Sequence, residues 1–421
     1  MSGKIVNNVF RASGVIAATP GGLDWSTAVV TGSTLTATAG KGYFINTTSN
    51  ACTVTLPSSA EIGDQIVFAD YARTWSTNNV IIDSNGNNFQ GEADTYTVDY
   101  STAGQSLNIV YSDATKGWLP VSDDAVAFEH GDPPTQKGIF GYGNTGSTTN
   151  LSNLVSSSGV VATDTTGVGT ARSGLGACSY GGDKAIFGYG ETSSTVVVSM
   201  TNLVSNSGVI GSDVTGVGNA RSNLAACGYG LDKGIFAYGL DGSTVSMSNL
   251  VSSSGVVASD VSGVGTARQD IGAATYGLDK GIFGYGSGRT NITNLVNSSG
   301  VIGSNVTGVG TARTALSAAK YGGDKAIFGY GTVAGGGSVS ITNLVSNSGV
   351  VATDTAGVGS GRGGGSATNY GGDKAIFGFG DTPSAASTTN LVSNSGVVSS
   401  DVTGVGTARG FPAAAGFSYT A

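Results

Sequence analysis

A hexapeptide that occurs six times constrains the fold of this chain more than any other feature. It reads Ala-Ile-Phe-Gly-Tyr-Gly at residues 185–190, and the other copies differ from it at no more than two positions. The phenylalanines of the six copies stand at 140, 187, 236, 283, 328 and 377, so the period stays between 45 and 49 residues. A fixed period of this length marks a repeat array, in which each unit buries its apolar face only against its neighbours.

Each repeat contains four stretches with the composition of short strands. In the unit from Arg172 to Arg221 we predict strands at 173–180, 184–190, 196–205 and 208–216, because β-branched and aromatic residues are frequent there and turn residues separate them. The first two stretches are joined by the tight-turn sequence Tyr-Gly-Gly-Asp-Lys. Four short strands in a unit of about 47 residues are typical of one blade of a β-propeller.

The two ends of the array predict that it closes on itself. It opens at Lys137 with a second strand that has no first strand before it, and residues 410–419 supply a first strand with nothing after it. Pairing of these two pieces would complete six equal sheets and leave no long free edge. We therefore predict an all-β chain, with an N-terminal β-sandwich-like domain followed by a six-bladed β-propeller closed by a C-terminal strand.

The residues before the repeats differ from them in composition and predict a separate domain. All three tryptophans precede the repeats, and short apolar runs bounded by turn residues occur at 43–45, 53–56, 65–68, 80–82 and 107–111. The linker is acidic and ends in the stiff pair Pro133-Pro134. The predicted organisation is an extended arm at 1–27, a β-sandwich-like attachment domain at 28–121, a linker at 122–136 and the propeller at 137–421.

Composition excludes several classes of function. Charged residues make up 11% of the 421 and the net charge is −8, which argues against a nucleic-acid partner or an anionic membrane. No run of about 18 apolar residues occurs, so we expect no membrane insertion. The three cysteines do not make a disulfide framework, and the single histidine, His130, lies in the linker. No pair of carboxylates or thiol–imidazole arrangement stands out, so we expect no enzyme activity, no metal and no cofactor.

A recurring acidic residue and a recurring arginine form the most regular polar pattern. The acidic residue precedes the arginine by eight positions in every repeat, with Asn305 as the one exception to aspartate. One interpretation is a ring of carboxylates that binds Ca²⁺ or a ligand; the other is an Arg–carboxylate or Asp-to-backbone contact that fixes the geometry of each repeat. Recurrence in every repeat favours the structural interpretation. The residues are Asp164, Asp213, Asp260, Asp354 and Asp401, and Arg172, Arg221, Arg268, Arg313, Arg362 and Arg409.

The segment after each hexapeptide varies in length and composition, unlike the rest of the repeat. These segments are rich in Ser, Thr, Asn and Gly, a composition suited to polar contacts with a sugar, and variable loops on a fixed scaffold often carry recognition. The alternative is neutral variation of exposed loops. The candidate ligand residues are Thr192, Ser194, Asp241, Ser243, Arg289 and Asn291.

The repeats resemble kelch-type propellers in the order of a small-residue strand, the hexapeptide and a later arginine that opens the next unit. They depart from that family because the usual Gly-Gly doublet is here Gly-x-Gly, as in Gly188-Tyr189-Gly190, and because the repeat tryptophan is missing. The resemblance therefore implies the propeller fold and does not extend to the binding partners of kelch proteins.

A second resemblance covers about 80 residues of the N-terminal part. The stretches 42–47, 54–91 and 110–118 resemble a β-domain of tail-fibre and other virion structural proteins of tailed phages, cyanophages especially, and the repeats, for example 160–172 and 201–208, are similar to those of the same class. The resemblance implies localisation to the virion, attachment to other virion proteins through the N-terminal domain, and a homo-oligomer, specifically a trimer.

We expect a virion structural protein, a fibre or appendage subunit that displays the propeller for recognition of the host surface, with a surface glycan as partner. The alternatives are a carbohydrate-binding lectin or a capsid decoration protein. A glycan-degrading enzyme is a further alternative, which predicts inner-strand carboxylates in one or two repeats only, whereas the aspartates of this chain recur.

Overall fold

The computed structural model describes residues 23–94, 98–123, 135–193, 196–381 and 383–420. All regular elements in these ranges are β-strands, so the predicted all-β class is confirmed. The chain divides into two compact units, Met1–His130 and Gly131–Ala421, and the division falls inside the predicted linker. Most of the predicted arm (residues 1–22) and of the linker (residues 124–134) lies outside the described residues.

In its described residues, the N-terminal unit contains nine strands in two sheets. The strands are β1 (Asp24–Trp25), β2 (Thr34–Thr36), β3 (Lys41–Ile45), β4 (Cys52–Thr55), β5 (Gln65–Asp70), β6 (Val80–Asp83), β7 (Val98–Tyr100), β8 (Ser106–Asp113) and β9 (Gly117–Asp123). One sheet has the order β1-β3-β5-β8-β9 and the other β2-β4-β6-β7. Each of the five apolar runs noted in the sequence overlaps one of these strands, β3, β4, β5, β6 or β8.

From β1 to β6 the chain alternates between the two sheets. Strands β1, β3 and β5 pair in parallel, as do β2, β4 and β6. The last three strands pair antiparallel with a neighbour: β7 with β6, β8 with β5 and β9 with β8. Alternate residues point to one side, as in β8, where Leu107, Ile109 and Tyr111 are buried. The buried residues of both sheets form one core, in which Trp75 and Trp118 have no exposed surface.

The part of the C-terminal unit that the structure describes consists of six three-stranded sheets and one small ribbon. Its strands are β10 (Lys137–Asn144), β11 (Thr148–Val155), β12 (Gly176–Tyr180), β13 (Lys184–Gly188), β14 (Glu191–Ser193), β15 (Val196–Val197), β16 (Thr201–Val204), β17 (Ala225–Tyr229), β18 (Lys233–Ala237), β19 (Ser248–Val251), β20 (Gly272–Tyr276), β21 (Lys280–Gly284), β22 (Thr293–Val296), β23 (Ser317–Tyr321), β24 (Lys325–Gly329), β25 (Thr342–Val345), β26 (Ser366–Tyr370), β27 (Lys374–Gly378), β28 (Thr389–Val392) and β29 (Ala413–Phe417).

The six sheets follow one another in chain order and share one strand arrangement. Sheet I has the strand order β29-β10-β11, sheet II β12-β13-β16, sheet III β17-β18-β19, sheet IV β20-β21-β22, sheet V β23-β24-β25 and sheet VI β26-β27-β28, and all pairs are antiparallel. The hexapeptide supplies the middle strand of each sheet. The glycines of the hexapeptide leave room for aromatic side chains of the next sheet. A methyl group on Gly188 would lie only 2.7 Å from the ring of Phe236 in the next sheet.

The prediction of a fourth strand in each repeat was wrong, because each sheet has only three strands in the described ranges. In sheet II the stretch 208–216 makes only two isolated bridges to β16, Val204 to Ile210 and Thr201 to Val214. Between the two bridges the chain advances by three residues on β16 but by four residues in the stretch opposite it. This mismatch interrupts the ladder, as a β-bulge does. The Asn202 amide fills the gap by donating to the Gly211 carbonyl at 3.0 Å and to the Asp213 carboxylate at 2.9 Å.

The C-terminal strand completes the first sheet, as the sequence predicted. Strand β29 pairs with β10 from Lys137 opposite Phe417 to Gly141 opposite Ala413. The first strand of each sheet contacts the first strand of the next, from β12 through β17, β20, β23 and β26 to β29, and β29 in turn contacts β12. The contacts between first strands therefore run through all six sheets and return to their origin.

Candidate functional site

The six recurring arginines lie between the sheets of the C-terminal unit. Their exposed fractions are between 0 and 2%, and each guanidinium carbon lies 4.0–4.6 Å from the centre of an aromatic ring in the preceding sheet. Such cation–π contacts gain strength where water is excluded. The pairs are Arg172 with Tyr142, Arg221 with Tyr189, Arg268 with Tyr238, Arg313 with Tyr285, Arg362 with Tyr330, and Arg409 with Phe379.

The contacts of Arg221 illustrate the connection between two sheets. Its guanidinium stacks on Tyr189 of sheet II, while Nε donates to the Tyr238 carbonyl and Nη2 to Asn249 Oδ1 of sheet III, both at 2.8 Å. Burial lowers the pKa of this arginine, and the pKa of Arg409 falls to about 10 for the same reason. Each arginine thus ties neighbouring sheets together.

The recurring aspartates have their hydrogen-bond partners within the repeats. Asp213 accepts hydrogen bonds from Thr170 Oγ1 at 2.6 Å, from the Thr170 amide at 3.1 Å and from Asn202 at 2.9 Å, and Arg172 Nη1 lies 3.7 Å away. Burial opposes ionisation, but these hydrogen bonds and the arginine charge outweigh it and lower the pKa of Asp213. The pKa values of Asp164, Asp354 and Asp401 are lowered for the same reasons.

The exception in the sequence pattern keeps the same contacts without a charge. Asn305 Oδ1 accepts from the Thr266 amide at 3.1 Å, and its Nδ2 donates to Thr266 Oγ1 at 2.8 Å. Each acidic or amide side chain is thus engaged by its own neighbours, as in the Asp-to-backbone interpretation. In the described ranges no group of three or more His, Cys, Asp or Glu side chains could hold a metal ion.

A closed ring of six backbone hydrogen bonds lies at one end of the six first strands. The amide of Asn223 donates to the Gly174 carbonyl at 2.6 Å, and the same bond repeats from sheet to sheet until the amide of Gly174 donates to Phe411 at 3.2 Å. All six residues have a left-handed backbone, with φ between 51° and 61°. The ring residues are Gly174, Asn223, Asp270, Ala315, Gly364 and Phe411, and they line one end of a cavity of about 100 Å³ enclosed by the first strands.

Sequence reasoning missed this ring, although a signal for it exists. Each ring residue stands two positions after a recurring arginine, and its chemistry changes from repeat to repeat. Asp270 is partly buried, and burial raises its pKa. Burial also raises the pKa of Glu191, and the charge of Asp270 adds to the effect. Asp270 has no acidic counterpart among the other ring residues, whereas Glu191 corresponds to Asp381, which also follows its hexapeptide directly.

The variable segments adjoin this ring. The first residue of a variable segment bridges to the residue that precedes a ring residue, as in Glu191 with Ser173 and Asp381 with Gly363. The loops also contact one another, since Thr148 Oγ1 donates to the Thr192 carbonyl at 3.1 Å. The ring and the variable segments therefore share one end of the unit, which we call the loop face.

The candidate ligand residues do not converge on one point. Arg289 Nε donates to the Val333 carbonyl at 3.0 Å and Asn291 Nδ2 to the Gly310 carbonyl at 2.8 Å, so both hold loops in place. Asp241 accepts from Asn219 at 2.5 Å and from the Ser243 amide at 3.4 Å. Thr192 Oγ1 donates to the Val196 carbonyl at 3.4 Å, and Ser194 lies outside the described residues.

A groove of about 640 Å³ opens on the loop face between sheets V and VI. This volume is in the range of small-ligand sites. Sequence reasoning missed it because its walls come from five separate segments. The lining residues that carry side-chain chemistry are Thr332, Ser338, Ser360, Asp381, Pro383 and Phe411.

No family model matches this chain, and no curated protein matches it either. The part of the chain that the structure describes contains no helix of the length and apolarity that a membrane span requires.

Proposed function

We propose that the C-terminal unit is a six-bladed β-propeller closed by its C-terminal strand. Four observations support this: six equal sheets, the pairing of β29 with β10, contacts between first strands that return to their origin, and a six-membered ring of backbone hydrogen bonds. The fourth strand of each blade is reduced to two isolated bridges.

We propose that the protein is a virion structural protein, a fibre or appendage subunit of a tailed phage, and that the propeller binds host-surface glycans. One observation carries the recognition role: the variable segments are gathered around the ring at one end of a scaffold whose sheets are tied by six nearly identical arginine contacts. A rigid scaffold with variable loops at one end is a common plan for binding proteins. The virion role rests on the sequence resemblance of residues 42–47, 54–91 and 110–118 and of the repeats.

Binding to purified bacterial surface polysaccharides tests the recognition role. We expect the full-length protein to bind at least one of them on a glycan array, and mass photometry should give three times the 41.4 kDa of one chain. Absence of binding to every polysaccharide would contradict the recognition role. A monomer at all concentrations would contradict a trimeric fibre subunit.

A glycan-degrading enzyme is the second candidate, because one observation favours it. Glu191 and Asp270 are carboxylates of the loop face whose pKa values are raised by burial, the charge of Asp270 contributes to the shift of Glu191, and Asp270 has no acidic counterpart among the other ring residues. Measuring the chain length of the bound polysaccharide after prolonged incubation decides between the two. Constant length supports the binding protein, and shortening that disappears in Glu191→Gln supports the enzyme.

A further inference from the structure

The groove between sheets V and VI is built differently from the rest of the loop face. Its floor consists largely of backbone, because Gly336, Gly361, Gly363 and Gly364 line it. A methyl group at Gly361 would lie 2.6 Å from the Ser338 carbonyl, so the two segments approach closely there. A floor without side chains leaves room for a flat, polar molecule.

One wall of the groove carries an acceptor without a partner in the described residues. The Asp381 carboxylate lies against Gly410, where an added methyl group would be 2.6 Å from Oδ2. No described side chain donates a hydrogen bond to it and no described cation pairs with it, in contrast to Asp213 and the other recurring aspartates. Burial raises the pKa of Asp381. A carboxylate of this kind gains most from hydroxyl donors of a ligand.

The neighbouring wall is aromatic. Phe411 is the aromatic member of the hydrogen-bonded ring, and it is 36% exposed. The outer end of its ring lies over Gly364, where an added methyl group would be 3.0–3.1 Å from three ring carbons. The ring is therefore held from one side, while part of its surface stays open to the groove. An exposed aromatic ring of this kind binds flat apolar faces.

We propose that this groove binds a neutral pyranose residue of a polysaccharide. The C–H face of the sugar packs on Phe411, two neighbouring hydroxyls donate to the Asp381 carboxylate, and the hydroxyls of Thr332, Ser338 and Ser360 contact the rim of the sugar. Acidic sugars are disfavoured, because the Asp381 carboxylate lines the groove and the whole chain carries a net charge of −8. This assignment rests on the proposed glycan recognition and gives that function a site.

Saturation-transfer NMR and titration calorimetry on the full-length protein test the assignment. The ligands are neutral oligosaccharides of glucose, galactose and mannose, with a glucuronic-acid oligosaccharide as the acidic comparison. For the neutral ligand that binds, Asp381→Asn and Phe411→Ala should each lower the affinity by about tenfold or more.

Asp373→Asn is the matched control. Asp373 precedes β27 and Asp381 follows it, so the two aspartates lie at opposite ends of one strand, and Asp373 is paired with Lys374 at 2.8 Å. Removing its charge should change the affinity by less than about twofold. Calorimetric melting checks that the variants are folded; if Phe411→Ala is not, the nearly isosteric Asp381→Asn alone carries the test.

The outcomes separate this assignment from the proposed function. If the wild-type protein binds and both groove variants keep its affinity, the groove assignment is overturned while glycan recognition stands. A preference for the acidic oligosaccharide overturns the ligand class. Absence of binding to all the ligands, together with absence of binding on the polysaccharide array, overturns the proposed function itself.

Discussion

The two units of the chain are both all-β, yet they are held together in different ways. In the N-terminal unit, two sheets share a single apolar core in which Trp75 and Trp118 are fully buried. In the C-terminal unit, the core is divided into six small clusters between adjacent sheets, and its largest fully buried side chains are arginines and tyrosines.

The difference teaches how a repeat array of small residues can be made stable. Strands rich in Gly and Ala bring the sheets close but bury little apolar surface per contact, and the arginines fill the space that remains. Burying a guanidinium is costly unless it is fully engaged. In this unit, stacking on an aromatic ring and hydrogen bonds to backbone and asparagine offset that cost. The N-terminal unit depends on one core, whereas the C-terminal unit depends on six arginine connections and on the pairing of β29 with β10.

Removal of residues 413–421 should have the largest effect, because it deletes β29. Phe417 is 1% exposed, and loss of such a side chain alone costs about 3–5 kcal/mol. The unpaired edge of β10 and the interrupted circuit of first strands add to this. We expect the calorimetric transition of the C-terminal unit to disappear while tryptophan fluorescence, which reports only the N-terminal unit, melts as before. An unchanged transition would show that closure does not matter; removal of residues 420–421 is the control.

Trp118→Ala should produce the opposite pattern. The side chain is fully buried in the single core of the N-terminal unit, and such a truncation costs about 3–5 kcal/mol. The fluorescence melting temperature should fall strongly, with little change in the calorimetric transition of the C-terminal unit. Trp25→Ala is the control, because Trp25 is 39% exposed and should tolerate the change. Equal destabilisation of both units would contradict their independence.

Arg221→Ala should destabilise the C-terminal unit by about 3 kcal/mol, since it leaves two buried acceptors without donors, at about 1–3 kcal/mol each. Arg268→Ala is the comparison that sharpens this expectation. Among the described residues, Arg268 Nε has no hydrogen-bond partner, so Arg268→Ala removes fewer hydrogen bonds than Arg221→Ala does. Thermal unfolding should rank Arg221→Ala as the more damaging variant, and the reverse order would show that the hydrogen bonds of the arginines do not hold the sheets together.

Asp213→Asn should have the smallest effect. Asn305 occupies the equivalent position in another repeat and keeps its contacts with Thr266, so the loss at neutral pH should be at most about 1 kcal/mol for this partly exposed group. The pKa of Asp213 is lowered by folding, so its contribution is present above the ordinary aspartate pKa and disappears as the pH falls through the lowered value. Melting curves of the two proteins should therefore converge in acid; a difference that persists there would contradict the electrostatic origin.

Local patterns in the sequence predicted much of the fold. The hexapeptide period gave the number of sheets, the apolar runs gave strands β3 to β6 and β8, and the incomplete ends predicted the pairing of β10 with β29. The fourth strand failed because propensity alone does not reveal that the side chain of Asn202 replaces backbone pairing beside Gly211. The candidate loop residues were chosen by composition, and Arg289 and Asn291 instead make contacts that hold the loops.

What the sequence determined by itself is what depends on short-range order: strand periodicity, turn chemistry and the regular return of the same side chains. The tertiary structure alone decided which residues meet across sheets. The stacking of Arg221 on Tyr189, the ring of left-handed residues and the approach of Asp381 to Gly410 join segments from different repeats. Such contacts follow from the register and close packing of whole sheets, and that geometry is not encoded in any one segment.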